Sequence, residues 1–262
     1  MTDVLVVTGG HPFVPEPFFA VFDALENVEW TAADRPRTGH DVVVFYDMPG
    51  LTFTGGDPPV HFPRPSAEIE RTFDDLRRTG TGLVFMHHAV ASWPSVEWFA
   101  DMVGARFHYQ PASWRGVSYP DSGYVFDVTH RVEVIDRSHP VCAGLGDGFE
   151  LTDELYCFPV AEDEVVPLMR TDFAVNDSRN FFSADHAIRG RRNHNTGWSH
   201  PAGSSLVAWA KAAGASPLVY LQFGDGPITY ADPSFRRVLQ NAIQWTASDD
   251  ARAWVRTRNP NG

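Results

Sequence analysis

Cysteine is nearly absent from this chain: Cys142 and Cys157 are the only two in 262 residues. They form no CxxC pair and no zinc-ligand spacing. Both sit in apolar settings, "HPVCAGL" and "ELYCFPV", and read as buried free thiols rather than as a disulfide or a nucleophile. Long apolar runs are missing too. No window approaches the roughly 20 apolar residues of a membrane span, and the opening "MTDVLVVTGG" lacks the basic flank of a secretion signal. No membrane partner is expected, and the reducing cytoplasm is the expected compartment. Cationic residues are in deficit, 21 Lys and Arg against 33 Asp and Glu, for a formal net charge of −12. Nucleic acid requires clustered Lys and Arg on its phosphates, so it is not an expected partner. There is no GxSxG elbow and no Walker motif, and Gly9-Gly10 is not part of a GxGxxG. A serine nucleophile, a phosphate-cradling loop and a dinucleotide site are therefore not expected.

What the chain does have is an alternation of buried strands and helices. "DVLVVTGG" (3–10), "HDVVVFYDM" (40–48) and "GLVFM" (82–86) are continuous apolar runs, the pattern of parallel strands covered on both faces. "PEPFFAVFDAL" (15–25), "SAEIERTFDDLRRTG" (66–80) and "PSVEWFADMVG" (94–104) read as the helices between and after them. In the second of these, Ser66 suits the N-cap, Ile69, Phe73 and Leu76 share a face, and Gly80 suits the C-terminal stop. The pattern weakens between 105 and 200. "YVFDVTHRVEVID" (124–136) alternates like an antiparallel or edge strand, and 171–203 is polar with no evident element. A stretch that long without structure is functional or disordered. Strands resume with "SLVAWA" (205–210) and "PLVYLQFG" (217–224), followed by the helix "DPSFRRVLQNAIQW" (232–245), with Asp232 as its N-cap. These features predict a single α/β domain over residues 1–246, with a mainly parallel sheet and helices on both faces. Residues 247–262 are expected to form a C-terminal tail, with the last dozen residues frayed.

"VLVVTGG" followed by His11, then "GLVFMHHA", "HPVCAGL", "DELYCF" and "PLVYLQFGDGPITYADPSFRRVLQNAIQW" occur in an order that resembles the ThuA-like (trehalose-utilisation) family. That family belongs to the class I glutamine amidotransferase-like superfamily. The resemblance implies a flavodoxin-like fold and a carbohydrate ligand, trehalose-type or an oxidised 3-keto sugar. It also implies a loss. In the amidotransferases a G-x-C-x-G turn after a central strand presents the nucleophilic cysteine. Here the corresponding stretch is Phe85-Met86-His87-His88-Ala89, with His87 at the cysteine position. The superfamily's triad histidine falls near "FGDG", where this chain has Asp225. Without a thiol no glutamyl thioester forms, so glutaminase activity is not expected. Imidazoles and carboxylates in its place suit acid–base work or metal binding.

His87 and His88 close a central strand, where open α/β sheets bind ligands; the alternative is two histidines hydrogen-bonded to backbone in a tight turn. The resemblance adds Glu154 as a pocket carboxylate, so His87, His88 and Glu154 are the expected catalytic set. By strand alternation Tyr156 shares a face with Glu154. His11, Asp47, Trp93, Tyr156, His200 and Asp225 are the expected substrate-binding set. Asp47 reads equally as a loop cap, and Trp93, like Trp114, as hydrophobic cover. His194, Trp198 and His200 lie in "NHNTGWSHP", which suits a lid over the mouth. Three functions stay open: a sugar-processing hydrolase or lyase, an enzyme holding a divalent metal on its strand-end histidines, and a non-catalytic sugar-binding pseudo-amidotransferase. The expected partner is a small-molecule carbohydrate, with a homo-oligomer left open.

Overall fold

A computed structural model describes residues 1–259. From the amino terminus, β1 (Thr2–Gly9), α1 (Pro15–Asp23), β2 (Val28–Ala33) and β3 (Val42–Asp47) lead into a short ribbon of β4 (Thr52–Phe53) and β5 (Val60–His61). Next come α2 (Ala67–Thr79), β6 (Gly82–Met86), α3 (Glu97–Val103) and a second ribbon, β7 (Ala112–Trp114) with β8 (Val117–Tyr119). The middle of the chain supplies β9 (Gly123–Val134), β10 (Gly148–Cys157), β11 (Val166–Thr171), β12 (Phe182–Ser183) and α4 (Ala184–Ile188). The chain ends with β13 (Leu206–Ala213), β14 (Ser216–Leu221), α5 (Pro227–Ala231), α6 (Pro233–Thr246) and α7 (Asp249–Arg258).

One sheet of ten strands runs β10-β9-β11-β13-β14-β6-β3-β1-β2, with β12 against β9. The strands β2, β1, β3, β6 and β14 are parallel neighbours. They include the apolar runs that resembled doubly covered strands. Beyond β14 the pairing turns antiparallel through β13, β11, β9 and β10. The reversal is set where only Gly214 (φ 65°) and Ala215 join β13 to β14; a two-residue connection can join only antiparallel strands. The antiparallel reading of 124–136 fits β9.

Alternation splits the parallel strands into two cores. Val4, Val44, Val84 and Val219 face Phe18 and Phe22 of α1 and Phe235 and Leu239 of α6. Leu5, Val43, Leu83 and Leu218 face Phe73 and Leu76 of α2 and Phe99 and Val103 of α3. Local chemistry sets the helix ends. Ser66 Oγ accepts the Ile69 N–H, Gly80 ends α2 at φ 76°, and Asp232 accepts the Ser234 and Phe235 N–H groups. No helix among the described residues is long and apolar enough to cross a membrane.

Two expectations need correction. The polar 171–203 stretch is not without elements: it carries β12 and α4, and α4 walls the cleft described below. Asp249–Arg258 is not a frayed tail but α7, capped by Ser248, with Ala251 and Val255 buried and Trp254 edge-on to Trp245 at 5.3 Å. Only a narrow stripe of α7 is covered, so its sequence looks like solvated chain. Residues 260–262 lie outside the described residues. Deleting α7 would uncover Trp245 and the outer face of β13 and β14, and is expected to destabilise the fold by about 2–4 kcal/mol. A thermal melt of the chain ended at Ser248 checks this; an unchanged midpoint would mean that α7 merely rests on the surface.

Candidate functional site

At the end of β6 the chain turns sharply. His87 has φ 49° and opens a one-turn 3-10 helix, His87–Ala91. A left-handed backbone costs a side-chain-bearing residue about 1–2 kcal/mol, so the surroundings must hold it. The Tyr220 hydroxyl donates to the His87 carbonyl at 3.0 Å. The turn sends the two imidazoles apart, with ring planes 80° from each other.

The His87 ring is fully buried and bonded at both nitrogens. Nδ1–H donates to the Gln222 carbonyl at 2.7 Å, which fixes the tautomer. Nε2 lies 2.9 Å from Glu154 Oε2, 2.9 Å from the Tyr156 hydroxyl and 3.5 Å from Asp225 Oδ1. With a proton on Nε2 the imidazolium donates to Glu154. Without it, Nε2 accepts from Tyr156. Both protonation states are therefore bonded without rearrangement.

Strand β10 delivers three of the residues in play. Its register against β9 shifts between Asp153 and Leu155, a bulge of the kind that re-aims side chains beside sites. The Asp153 carboxylate accepts the Gly224 N–H at 2.7 Å and the Asp225 N–H at 3.0 Å, pinning the loop that carries Asp225. Glu154 and Tyr156 face His87. Burial alone would disfavour the imidazolium, but bonds to Asp225 and Glu154 outweigh it and hold the His87 pKa well above the ordinary value. Burial raises Glu154 against the pull of His87. At Asp225, which is one-third exposed, burial is outweighed by the His87 bond and charge, and its pKa falls. Two carboxyls beside one imidazole are thus pushed in opposite directions, the pattern that divides acid from base roles.

Beside this cluster lies a cleft with an empty volume of about 610 Å³. His11, His88, Glu154 and Tyr156 supply its polar lining, Phe107, Tyr109 and Tyr124 an aromatic wall, and Ala184 and Ile188 of α4 another side. The His11 and His88 rings pack with centroids 4.4 Å apart, tilted by 34°. His88 Nε2–H donates to the Tyr46 carbonyl at 3.0 Å, leaving its Nδ1 without a partner, like Nδ1 of His11. Burial lowers the pKa of both rings. They are neutral imidazoles at neutral pH, each with one buried ring nitrogen that has no hydrogen-bond partner.

His11, His88, Glu154, Tyr156 and Asp225 are thus gathered around His87 or its cleft. Asp47 and Trp93 are not; they share a separate groove. His200 is also elsewhere. It is buried, with Nδ1–H donating to the Pro201 carbonyl at 2.6 Å beside Cys157 Sγ. The Trp198 indole donates to the Asp121 carbonyl and the Trp114 indole to Asp101, while His194 stacks loosely on His186. None of these four lines the cleft, and the wall drawn from the polar stretch is α4. Both cysteines are free and buried, and burial pushes their thiols to about 12, outside nucleophile range. Sequence reasoning missed the Gln222 carbonyl, which leaves no side-chain signal. It also missed Phe107 and Tyr109, which follow α3 with no marked pattern.

Solved structures share this fold. A ThuA-like protein from Parabacteroides merdae ATCC 43184 superposes with a TM-score of 0.65 at 14% identity, over 94% of this chain and 90% of that one. A ThuA-like protein from Bacteroides uniformis ATCC 8492 gives 0.60 at 16%, over 95% and 92%. PurLQS from Thermotoga maritima gives 0.50 at 10%, over 94% and 99%. At such identities the likeness shows the fold alone, an α/β domain around a mostly parallel central sheet. No curated protein sequence matches the chain. The ThuA family model, described as trehalose utilisation, matches residues 33–246; the chain therefore belongs to the ThuA family, and that membership supports a carbohydrate-related role.

Proposed function

We propose that this protein binds a trehalose-type sugar, or its oxidised 3-keto form, in the cleft and moves a proton on it with His87 and Glu154. The observation that carries this reading is the buried imidazole with Nε2 2.9 Å from both Glu154 and Tyr156, beside an aromatic-walled cleft. Few polar groups set in apolar walls are the usual make-up of a small-molecule site. Because Nδ1 is committed to Gln222, Nε2 is the position that gains and loses a proton. A 3-keto sugar suits such a pair. The ketone acidifies the C–H on the neighbouring ring carbon. Removing that proton forms a carbon–carbon double bond as the glycosidic C–O bond breaks, and the leaving oxygen takes up a proton. Glu154, which lines the cleft and is held as a carboxylate by the His87 imidazolium, takes the ring proton; the imidazolium is the acid that supplies the leaving oxygen, and Asp225 stays ionised beside it. The protein's setting in this proposal is the cytoplasm, which free buried thiols suit.

Following trehalose and 3-keto-trehalose by NMR tests the proposal. Turnover of the keto sugar is expected, with no ammonia released from glutamine. Binding of sugar without turnover of any glycoside would leave a binding module instead. Ammonia release abolished by replacing Cys142 or Cys157 would overturn the exclusion of glutaminase chemistry. One observation favours a second reading. His87, Glu154 and Asp225 offer ligand atoms within 4.8 Å of one another, so a divalent cation would fit where the proton sits. Turnover that survives chelation favours the proton.

A further inference from the structure

We propose a second binding site, a groove at the carboxyl end of β3 in which Asp47 and Trp93 hold a neutral polyhydroxylated ring such as a hexose. The groove has an empty volume of about 660 Å³ and is lined by Asp34, Arg35, Asp47, Ser66, Ile69 and Trp93, among others. Its place in the sheet is telling. Strand β1 has β2 on one side and β3 on the other, so the winding changes direction between β1 and β3. Gly9 and Asp47 are register partners at the carboxyl ends of those strands. Open α/β sheets bind ligands in the crevice beyond such a switch point. Met48 lines the His87 cleft while Asp47 and Pro49 line the groove, so the two sites lie on opposite sides of one strand-end loop.

Asp47 is 8% exposed. Its main-chain carbonyl accepts the Ser92 hydroxyl at 2.9 Å, but among the described residues no other residue bonds to its carboxyl. The carboxyl is not among the side-chain atoms buried without a partner, and Asp47 lines the groove, so the groove is the space open to it. Burial pushes its pKa up to about 7, so near neutral pH it both donates and accepts hydrogen bonds. Trp93 sits at φ 48°, an outlier for a bulky residue. Its N–H donates to the Pro49 carbonyl at 2.9 Å, and Gly50 packs so closely that a Cβ there would lie 2.9 Å from Trp93 Cα. The indole is thus held in place against its own backbone preference, as residues at ligand clamps are.

The lining selects the ligand class. Asp34 and Arg35 bring charges of both signs, which favours neither an anion nor a cation. A carboxyl that donates and accepts matches a hydroxyl pair, and an indole matches the apolar face of a ring. The class is argued from this groove alone and does not depend on the chemistry at His87.

NMR of the ¹⁵N-labelled tryptophan indoles tests the proposal, with Trp93→Phe identifying the Trp93 signal. Titration with glucose and with trehalose should shift that signal saturably. Asp47→Ala should weaken the titration about tenfold, the effect of one lost hydrogen-bonding group. Glu154→Gln should leave it unchanged. Asp47→Asn, which keeps the size of the side chain, covers the case in which the alanine variant fails to fold, and should weaken binding severalfold. A Trp93 signal unmoved at the highest soluble sugar concentration overturns the site. So does wild-type affinity in both Asp47 variants. Equal or stronger shifts with acetate or methylammonium overturn the neutral-ring assignment.

Discussion

Replacing His87 by Ala is expected to lower turnover of the keto sugar by roughly 10²–10⁴, the range for losing a general acid or base, in a protein that still folds. Folding survives because Glu154, left beside Tyr156, can take a proton; burial already pushes its pKa up. His87→Gln keeps polar bonding but cannot carry the proton, so it should fall as far as His87→Ala. His87→Asn separates chemistry from backbone, since Asn tolerates the left-handed conformation that His87 adopts at φ 49°. Rates come from the NMR assay and folding from circular dichroism. Equal rates in wild type and all three variants would remove His87 from the mechanism. A collapse of stability with an unchanged rate per folded molecule would make it a structural histidine.

The second large effect is on stability as a function of pH. Burial raises the Asp47 pKa from 3.8 to about 7 in the folded state. The folded protein therefore holds this proton more tightly than the unfolded chain does. The resulting stabilisation is complete below pH 3.8 and is lost as pH rises through about 7. Just over three pKa units at about 1.4 kcal/mol each amount to about 4 kcal/mol. Asp47→Asn cannot titrate, so it should escape this fall and gain on wild type between pH 4 and 7. Urea unfolding at closely spaced pH values would measure the gain; parallel curves for the two proteins would refute it. The raised His87 pKa has the same sign but acts higher, its contribution being lost as pH rises through a folded pKa well above 6.5. The two residues are thus separated by pH window.

The legible part of the fold was the part buried on two faces. β1, β3, β6 and β14 have every central residue covered, so each reads as an unbroken apolar run. β2, at the sheet edge, alternates half-buried and exposed positions over "VEWTAA" and shows no such run. α7 escaped for a related reason: two buried residues among Asp, Arg and Thr do not make a stripe. At the site, residues identified by chemical type were placed near one another where the fold converges strand ends, as with His87, Glu154 and Asp225. Strand-end position alone did not distinguish the two sides of the β3 loop. Asp47 ends β3 and His11 follows the neighbouring β1, yet alternation turns Asp47 toward α2 and leaves His11 over His88.

The His87 turn also bears on how such a protein acquires a new reaction. The left-handed backbone is held by the Tyr220 hydroxyl on the His87 carbonyl, a bond that is indifferent to the side chain the residue carries. Whatever stands at that position is presented between the Gln222 carbonyl and the residues of β10. A lineage can therefore exchange one reactive group for another at a single codon, while the scaffold that aims it is inherited intact.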